Sequence, residues 1–240
     1  MFNPDEINKL KSVLDYYQQD IKYAFSMAKK DKIDFIYNTS ALEGNAMTYP
    51  EVQTLLEGVT VGGHKLSDEQ QVLNQSRSIE LLFKMIDEST FILNKDTVCA
   101  LHKEVAKEEA LSWGVFRTAN VNIGGTEYFP PQANVLDEIF KEGVTELQKI
   151  EDPILKALTY FLFGARTQFF FDGNKRTSRL IMNALLLIEG LPMLNIKAKD
   201  KLEFNKEMIS FYDSGDYIKT LEYFHAYYHQ QNKHMSLKDG

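Results

Sequence analysis

The sequence predicts an all-α domain carrying one short β-hairpin, and three observations predict it. Apolar residues recur at spacings of three and four along most of the 240 residues, the signature of helices with one face turned to a core. Helix-starting compositions recur between these runs, and only 13 Gly and 6 Pro interrupt them. A period of two appears between Trp113 and Pro131, where β-forming residues flank a Gly-Gly pair.

Leu10, Val13, Leu14, Tyr17, Ile21 and Phe25 predict an apolar stripe along an opening helix. Thr48-x-x-Glu51 and Ser67-x-x-Gln70 read as capping boxes that start two further helices, the first with Pro50 in its first turn. Leu81, Phe83, Met85 and Ile86 extend a helix that ends before Asn94, and Asp96 opens another through Cys99, Leu101 and Val105. Val121 and Ile123 then alternate with Asn120 and Asn122, Gly124-Gly125 follows, and Thr126 to Phe129 return as β-formers, a hairpin signal. After Pro130-Pro131 the helical period resumes at Val135, Ile139, Val144 and Leu147, and again from Ile154 through Phe163. Tyr212, Tyr217, Tyr223, Phe224, Tyr227 and Tyr228 are expected to pack the last helices. No internal repeat and no Gly/Ser linker appears. A soft boundary near Asn94 separates an N-terminal helical region (1–94) from a core (95–231), and the polar residues 232–240 are expected to fray.

Composition narrows the function. A net charge of −7 argues against broad binding to nucleic-acid backbones and leaves room for a local basic pocket. The single cysteine, Cys99, cannot close an internal disulfide and reads as a small buried hydrophobe in a reducing compartment. The first residues lack the basic and apolar regions of a secretory signal, and Leu180 to Ile188 falls short of the roughly 20 apolar residues a spanning helix needs. The expected location is cytoplasmic, with no membrane partner.

Most of the chemistry lies in Thr167-Gln-Phe-Phe-Phe-Asp-Gly-Asn-Lys-Arg-Thr-Ser-Arg179. An apolar helix enters it and another leaves it. Asp172-Gly173-Asn174 is a turn composition, so the backbone N–H groups at the following helix start can converge on an anion. Arg176 and Arg179 share a helical face, Lys175 adds a third cation, and Asp172 is the carboxylate available to Mg²⁺. The same loop could equally be a plain turn with solvated cations. Phe169-Phe170-Phe171 is most simply core that makes the loop rigid. His225 and His229 have the i, i+4 spacing of a metal pair but lack the Glu of a zinc-protease motif. His64, His102 and His234 have no chemical neighbours in sequence.

Phe170, Asp172, Gly173, Asn174, Lys175, Arg176 and Arg179 stand in register with the signature of the Fic (Fido) family, which the sequence therefore resembles. Gly114-Val-Phe-Arg117-Thr-Ala-Asn-Val121-Asn-Ile-Gly-Gly125 with Pro130-Pro131 is similar to the family's flap passage, and Thr39-Ser-Ala-Leu-Glu43-Gly44-Asn45 to its inhibitory motif. The resemblance implies a Fic-type helical core and a nucleotide, as Mg²⁺-ATP, held by Gly173, Asn174, Lys175, Arg176 and Arg179 with Asp172 on the metal. It also implies a target protein segment bound along Asn122, Ile123, Gly124 and Gly125, and Glu43 paired with Arg179 to block productive nucleotide placement. Ser40-x-x-Glu43 could instead be a local capping box, with Gly44 a helix C-cap.

One position departs from the pattern. The family places its proton-accepting His where this chain has Gln168, and Phe169 replaces the Pro that usually follows. A neutral amide orients a hydroxyl without taking its proton, and loss of a positioned base costs about 10²–10⁴ in rate. The implied catalytic set is Gln168, Asp172 and Arg176. Three activities follow: AMP transfer onto a protein hydroxyl, impaired by Gln168; a catalytically silent module that binds nucleotide and peptide; and phosphate transfer, since Doc-like members carry Lys at the Lys175 position. The oligomeric state is open.

Overall fold

The computed structural model describes residues 1–17 and 20–235. Eleven α-helices lie among them: α1 (Pro4–Ile7), α2 (Ile21–Lys30), α3 (Lys32–Leu42), α4 (Tyr49–Leu56), α5 (Leu66–Asp87), α6 (Lys95–Val105), α7 (Leu136–Leu147), α8 (Pro153–Thr167), α9 (Asn174–Ile188), α10 (Lys201–Ser214) and α11 (Tyr217–Asn232). No strand occurs among the described residues, so the domain is all-α.

The centre is the pair α8 and α9, which α5, α6, α7 and α11 surround. Both central helices are buried almost all round, α8 from Ile154 to Ala165 along a mostly apolar run, and α9 from Arg176 to Leu187, where four polar residues precede the apolar run that starts at Leu180. Their backbones approach closely at Gly164, where a Cβ would stand 2.3 Å from Ser178 Oγ. Asp152 caps α8 by accepting from the N–H groups of Ile154 and Leu155, with Pro153 at the first helical position. One hydrophobic core runs across Asn94, joining Phe35, Ile79 and Leu82 to Leu101, Phe161 and Leu186.

The structure corrects several sequence expectations. The opening stripe is not one helix: α1 stops at Ile7, a 3₁₀ turn spans Leu14–Tyr16, and α2 begins at Ile21. Polar groups override the apolar spacing here. Asn8 is tied to Lys149 O and Glu151 N, Ser12 Oγ takes Leu14 N, and Asp20 caps α2 through Tyr23 N. The box at Thr48 and Glu51 forms, but Ser67 lies inside α5, whose N-cap is Lys65; Asp68 and Glu69 then sit in the first turn, favoured by the helix dipole. Asn94, not Asp96, caps α6.

The hairpin expected at 120–129 is a turn without a strand ladder. Gly125 makes the turn at φ +83°, but the polar groups of the legs are taken elsewhere. Asp213 accepts from Thr126 Oγ1 and from Glu127 N, Asn120 Oδ1 accepts from Ala133 N, and Arg117 takes the carbonyls of Ala119 and Pro131. At the C-terminus Asn232 does not fray: it is buried and donates to Met193 O. Residues 236–240 of the expected polar tail lie outside the described residues. No helix among the described residues is long and apolar enough to cross a membrane.

Candidate nucleotide site

Loop 168–173 joins α8 to α9 and forms the floor of a cavity of about 420 Å³. The cavity brings together Gln168, Asp172, Gly173, Asn174, Lys175 and Arg176 with Glu43 from the end of α3 and Asn122 to Gly124 from the turn segment. Gly125 and Arg179 do not line it. Tyr212, Met208 and Ile209 of α10 close one side.

The loop is held from several directions. Gly173 is the N-cap of α9 at φ +72°, a left-handed backbone that glycine adopts without strain. A Cβ there would also sit 3.1 Å from Ala106 Cβ. No side chain caps α9, so the first-turn N–H groups are available to an anion at the positive end of a 15-residue helix. Asn174 staples the turn: its Oδ1 accepts from Phe170 N at 2.9 Å and its Nδ2 donates to Phe170 O at 2.8 Å. Phe169 and Phe170 are buried, as expected of the aromatic run, while Phe171 lines the cavity.

Gln168 ends α8 in the left-handed region at φ +53°. Its amide is committed at both ends, Nε2 donating to Ala165 O at 2.6 Å and Oε1 accepting from Asn174 Nδ2 at 2.9 Å. Asp172 points its exposed carboxylate outward, with Oδ1 accepting from Gly173 N at 2.6 Å.

The three cations of the α9 start have different partners. Arg176, 4% exposed, places one terminal nitrogen 2.6 Å from Glu109 Oε2 and the other 3.7 Å from Asp172 Oδ1. Lys175 Nζ lies 3.2 Å from Glu43 Oε2. Arg179, fully enclosed, donates to Glu43 Oε1 at 2.9 Å and to Thr39 Oγ1 at 2.9 Å, and its other terminal nitrogen has no hydrogen-bond partner. Burial by itself would raise the Glu43 carboxyl, but Arg179, Lys175 and Arg176 together outweigh it and hold the group down at about 2. Burial likewise lowers Arg179, against the opposing pull of Glu43. Ser40 sits within α3 and Glu43 ends it, so the local capping box does not form; Gly44 closes the helix end by donating to Ala41 O at 3.0 Å.

Three residues with no role assigned from sequence support this site. His102 stacks on Phe170 with ring centroids 3.6 Å apart. Its Nδ1 accepts from Gly114 N at 3.0 Å, so the proton sits on Nε2 and is donated to Asp172 O at 2.9 Å. Burial pulls its pKa down to about 4, and it is neutral at pH 7. Arg117, 2% exposed, donates Nε to Gln168 O at 2.6 Å while holding both ends of the turn segment. Glu109 holds Arg176. The one sequence signal for His102 was its place on the apolar face with Val98, Leu101 and Val105; Glu109 had none. His229 instead faces the Tyr17 hydroxyl at 3.1 Å, His64 pairs with Glu51, and no group of three or more potential ligands surrounds any site among the described residues.

Residues 92–186 match the model of the Fic/DOC family. The chain carries a Fic/DOC domain. It is 26% identical over 193 residues to "Protein adenylyltransferase Fic" of Aedes aegypti, covering 77% of this chain and 38% of that protein. It is 27% identical over 188 residues to the protein of the same name from Drosophila mojavensis, covering 75% and 37%. The chain thus spans less than two fifths of the length of the curated relatives it matches. Among solved structures, Fic-1 from C. elegans superposes with a TM-score of 0.72 at 20% identity, over 97% of this chain and 67% of that one. A Fic-domain-containing signalling protein from Bacteroides thetaiotaomicron gives 0.71 at 20% identity, over 89% and 88%. The Fic/DOC domain accounts for the helical fold around loop 168–173.

Proposed function

We propose that this chain binds Mg²⁺-ATP at the start of α9 and transfers AMP from it to a Ser, Thr or Tyr hydroxyl of a protein, with Glu43 restraining the site at rest. The observation that carries this reading is the convergence of Lys175, Arg176 and the uncapped α9 amides on one cavity, with Glu43 in its wall paired to Lys175 and to Arg179 buried behind it. Such a cluster is matched to a polyphosphate, and a phosphate that displaced the Glu43 carboxylate would take its place against Lys175 and Arg179. The names of the relatives point the same way.

In the transfer, the target oxygen bonds to the α-phosphorus, the α–β phosphoanhydride bond breaks, and pyrophosphate leaves with the electron pair. Arg176 and the α9 amides stabilise the charge developing on the phosphates. Asp172 fits Mg²⁺, because its carboxylate is outward-facing and a nucleotide-bound Mg²⁺ takes just one or two protein carboxylates; the ion would supply further charge neutralisation. The hydroxyl proton must go to water or phosphate, since Gln168 cannot accept it, and the expected rate is low. The target would lie along Asn122 to Gly125 by strand addition, in the cytoplasm.

Calorimetric titration of the parent and of Arg176→Ala with Mg²⁺-ATP tests the site. A loss of about 1.5–3 kcal/mol is expected for a charged hydrogen bond, and equal affinities would sink the reading. A second reading, a silent nucleotide- and peptide-binding module, is favoured by the double commitment of the Gln168 amide. Lys175 favours a third, phosphate transfer. Transfer of label from α- or γ-labelled ATP separates all three: α-label for AMP, γ-label for phosphate, neither for the module.

A further inference from the structure

Glu109 belongs to none of the three sequence motifs, yet it is the partner of Arg176. Its carboxylate, 13% exposed, takes Arg176 on Oε2 at 2.6 Å and Asn74 Nδ2 on Oε1 at 2.6 Å. Asn74 is fully buried in the middle of α5, and its amide is itself fixed. It donates to Lys107 O at 2.8 Å and accepts from Gln70 Nε2 at 2.9 Å and from Arg77. The carboxylate therefore cannot turn without breaking a buried hydrogen bond at either end.

We propose that Asn74 and Glu109 are positioning residues that hold the Arg176 guanidinium in its phosphate-binding orientation, a relay from the interior of α5 to the cavity. The proposal rests on the reading of Arg176 as a phosphate ligand. Its consequence has a sign that charge alone cannot produce. A carboxylate beside an anion site repels the anion, so by Coulomb's law removing Glu109 should tighten nucleotide binding. If Glu109 positions Arg176, removing it loosens the guanidinium and binding weakens.

The test is calorimetric titration of Mg²⁺-ATP into the full chain carrying Glu43→Gly, alone and with Glu109→Ala, Glu109→Gln, Arg176→Ala or the Glu109→Ala/Arg176→Ala pair. Glu109→Ala should weaken binding about tenfold, and Glu109→Gln, whose single amide oxygen can accept from Arg176 or from Asn74 but not from both, should weaken it by a smaller factor of about three. In the Arg176→Ala background, Glu109→Ala should cost nothing more. Unchanged or tighter binding by Glu109→Ala, or a loss that persists without Arg176, overturns the proposal. Should Glu109→Ala not fold, Glu109→Asp decides the matter: one methylene short, it must also weaken binding, and background affinity refutes the role. If Arg176→Ala has no effect, or the Glu43→Gly chain binds no Mg²⁺-ATP, it is the nucleotide reading itself that falls.

Discussion

Glu43 and Arg179, 136 positions apart in the chain, form a buried ion pair of 2.9 Å that joins the end of α3 to the second turn of α9. The pair predicts two opposite effects of Glu43→Gly. It leaves the Arg179 guanidinium, 2% exposed, without its counter-ion, which costs about 3–5 kcal/mol for a broken buried pair. It also opens Arg179 and Lys175 to phosphate. The variant should therefore melt at a lower temperature than the parent and bind Mg²⁺-ATP more tightly, with nucleotide recovering more of its melting temperature than the parent gains. Thermal melts with and without Mg²⁺-ATP check this; an unchanged melting temperature would show that the pair does not contribute.

The same pair fixes a pH window. Glu43 is held at about 2 in the fold, against an ordinary value of 4.5. Its folded pKa is depressed, so its contribution to stability is fully present above 4.5 and is lost as pH falls through that value towards 2. No titration of Glu43 should therefore appear between pH 5 and 8. Nucleotide affinity measured across that range in the parent and in Glu43→Gln should differ by a constant factor, and a difference that varies with pH would contradict the assignment.

His102 titrates in a different window. Its folded pKa of about 4 lies below the ordinary 6.5, so the unfolded chain binds the extra proton first. The stability it contributes is complete above 6.5 and falls as pH drops from there towards 4. His102→Phe preserves the stack on Phe170 but leaves Gly114 N and Asp172 O without this partner, costing about 1–3 kcal/mol for each buried group left unpaired. Chemical denaturation at pH 7 and pH 5 should show the parent losing stability on acidification and the variant losing less. Equal losses would remove His102 as the titrating group.

What was legible in the sequence was local. The turn at Asp172-Gly173-Asn174 between two apolar helices, the capping box of Thr48 and Glu51, and the burial of Phe170 depend on neighbours within a few residues. Glu43 was visible through resemblance, because nothing near it in sequence demands an arginine. The supports of the site were not legible. His102 meets Asp172 across 70 positions, Arg176 meets Glu109 across 67, and Arg117 meets Gln168 across 51. The expected hairpin failed partly for the same reason, since Asp213, 86 positions from Glu127, accepts its N–H.

Gly173 offers a structural check on the cradle. At φ +72°, with a Cβ meeting Ala106 at 3.1 Å, Gly173→Ala must adopt a left-handed backbone and press against the end of α6. The strain is on the order of 1–3 kcal/mol, and relieving it would tilt the first α9 amides. The variant should lose stability and Mg²⁺-ATP affinity together, both readable in one series of melts with and without nucleotide. Retained affinity would show that the α9 amides are not ligands.

The decisive substitution is Gln168→His. The position is left-handed, at φ +53°, a region in which His is enriched among non-glycine residues, so the backbone accepts the change. The amide bonds to Ala165 and Asn174 are lost, but Asn174 keeps both of its bonds to Phe170, and the loop stays stapled. Restoring Pro at position 169 is not a useful companion. Phe169 is 2% exposed and packs on Phe116 and Phe163, and a following Pro disfavours the backbone that residue 168 adopts. The informative variant is therefore Gln168→His with Glu43→Gly, which supplies a base and frees Arg179 at once. A base that comes within about 2.6–3.2 Å of the target hydroxyl should raise self-modification from α-labelled ATP by about 10²–10⁴ over Glu43→Gly alone. If the double variant binds Mg²⁺-ATP, stays folded and incorporates no label, the site lacks more than its base, and the binding-module reading replaces the transferase.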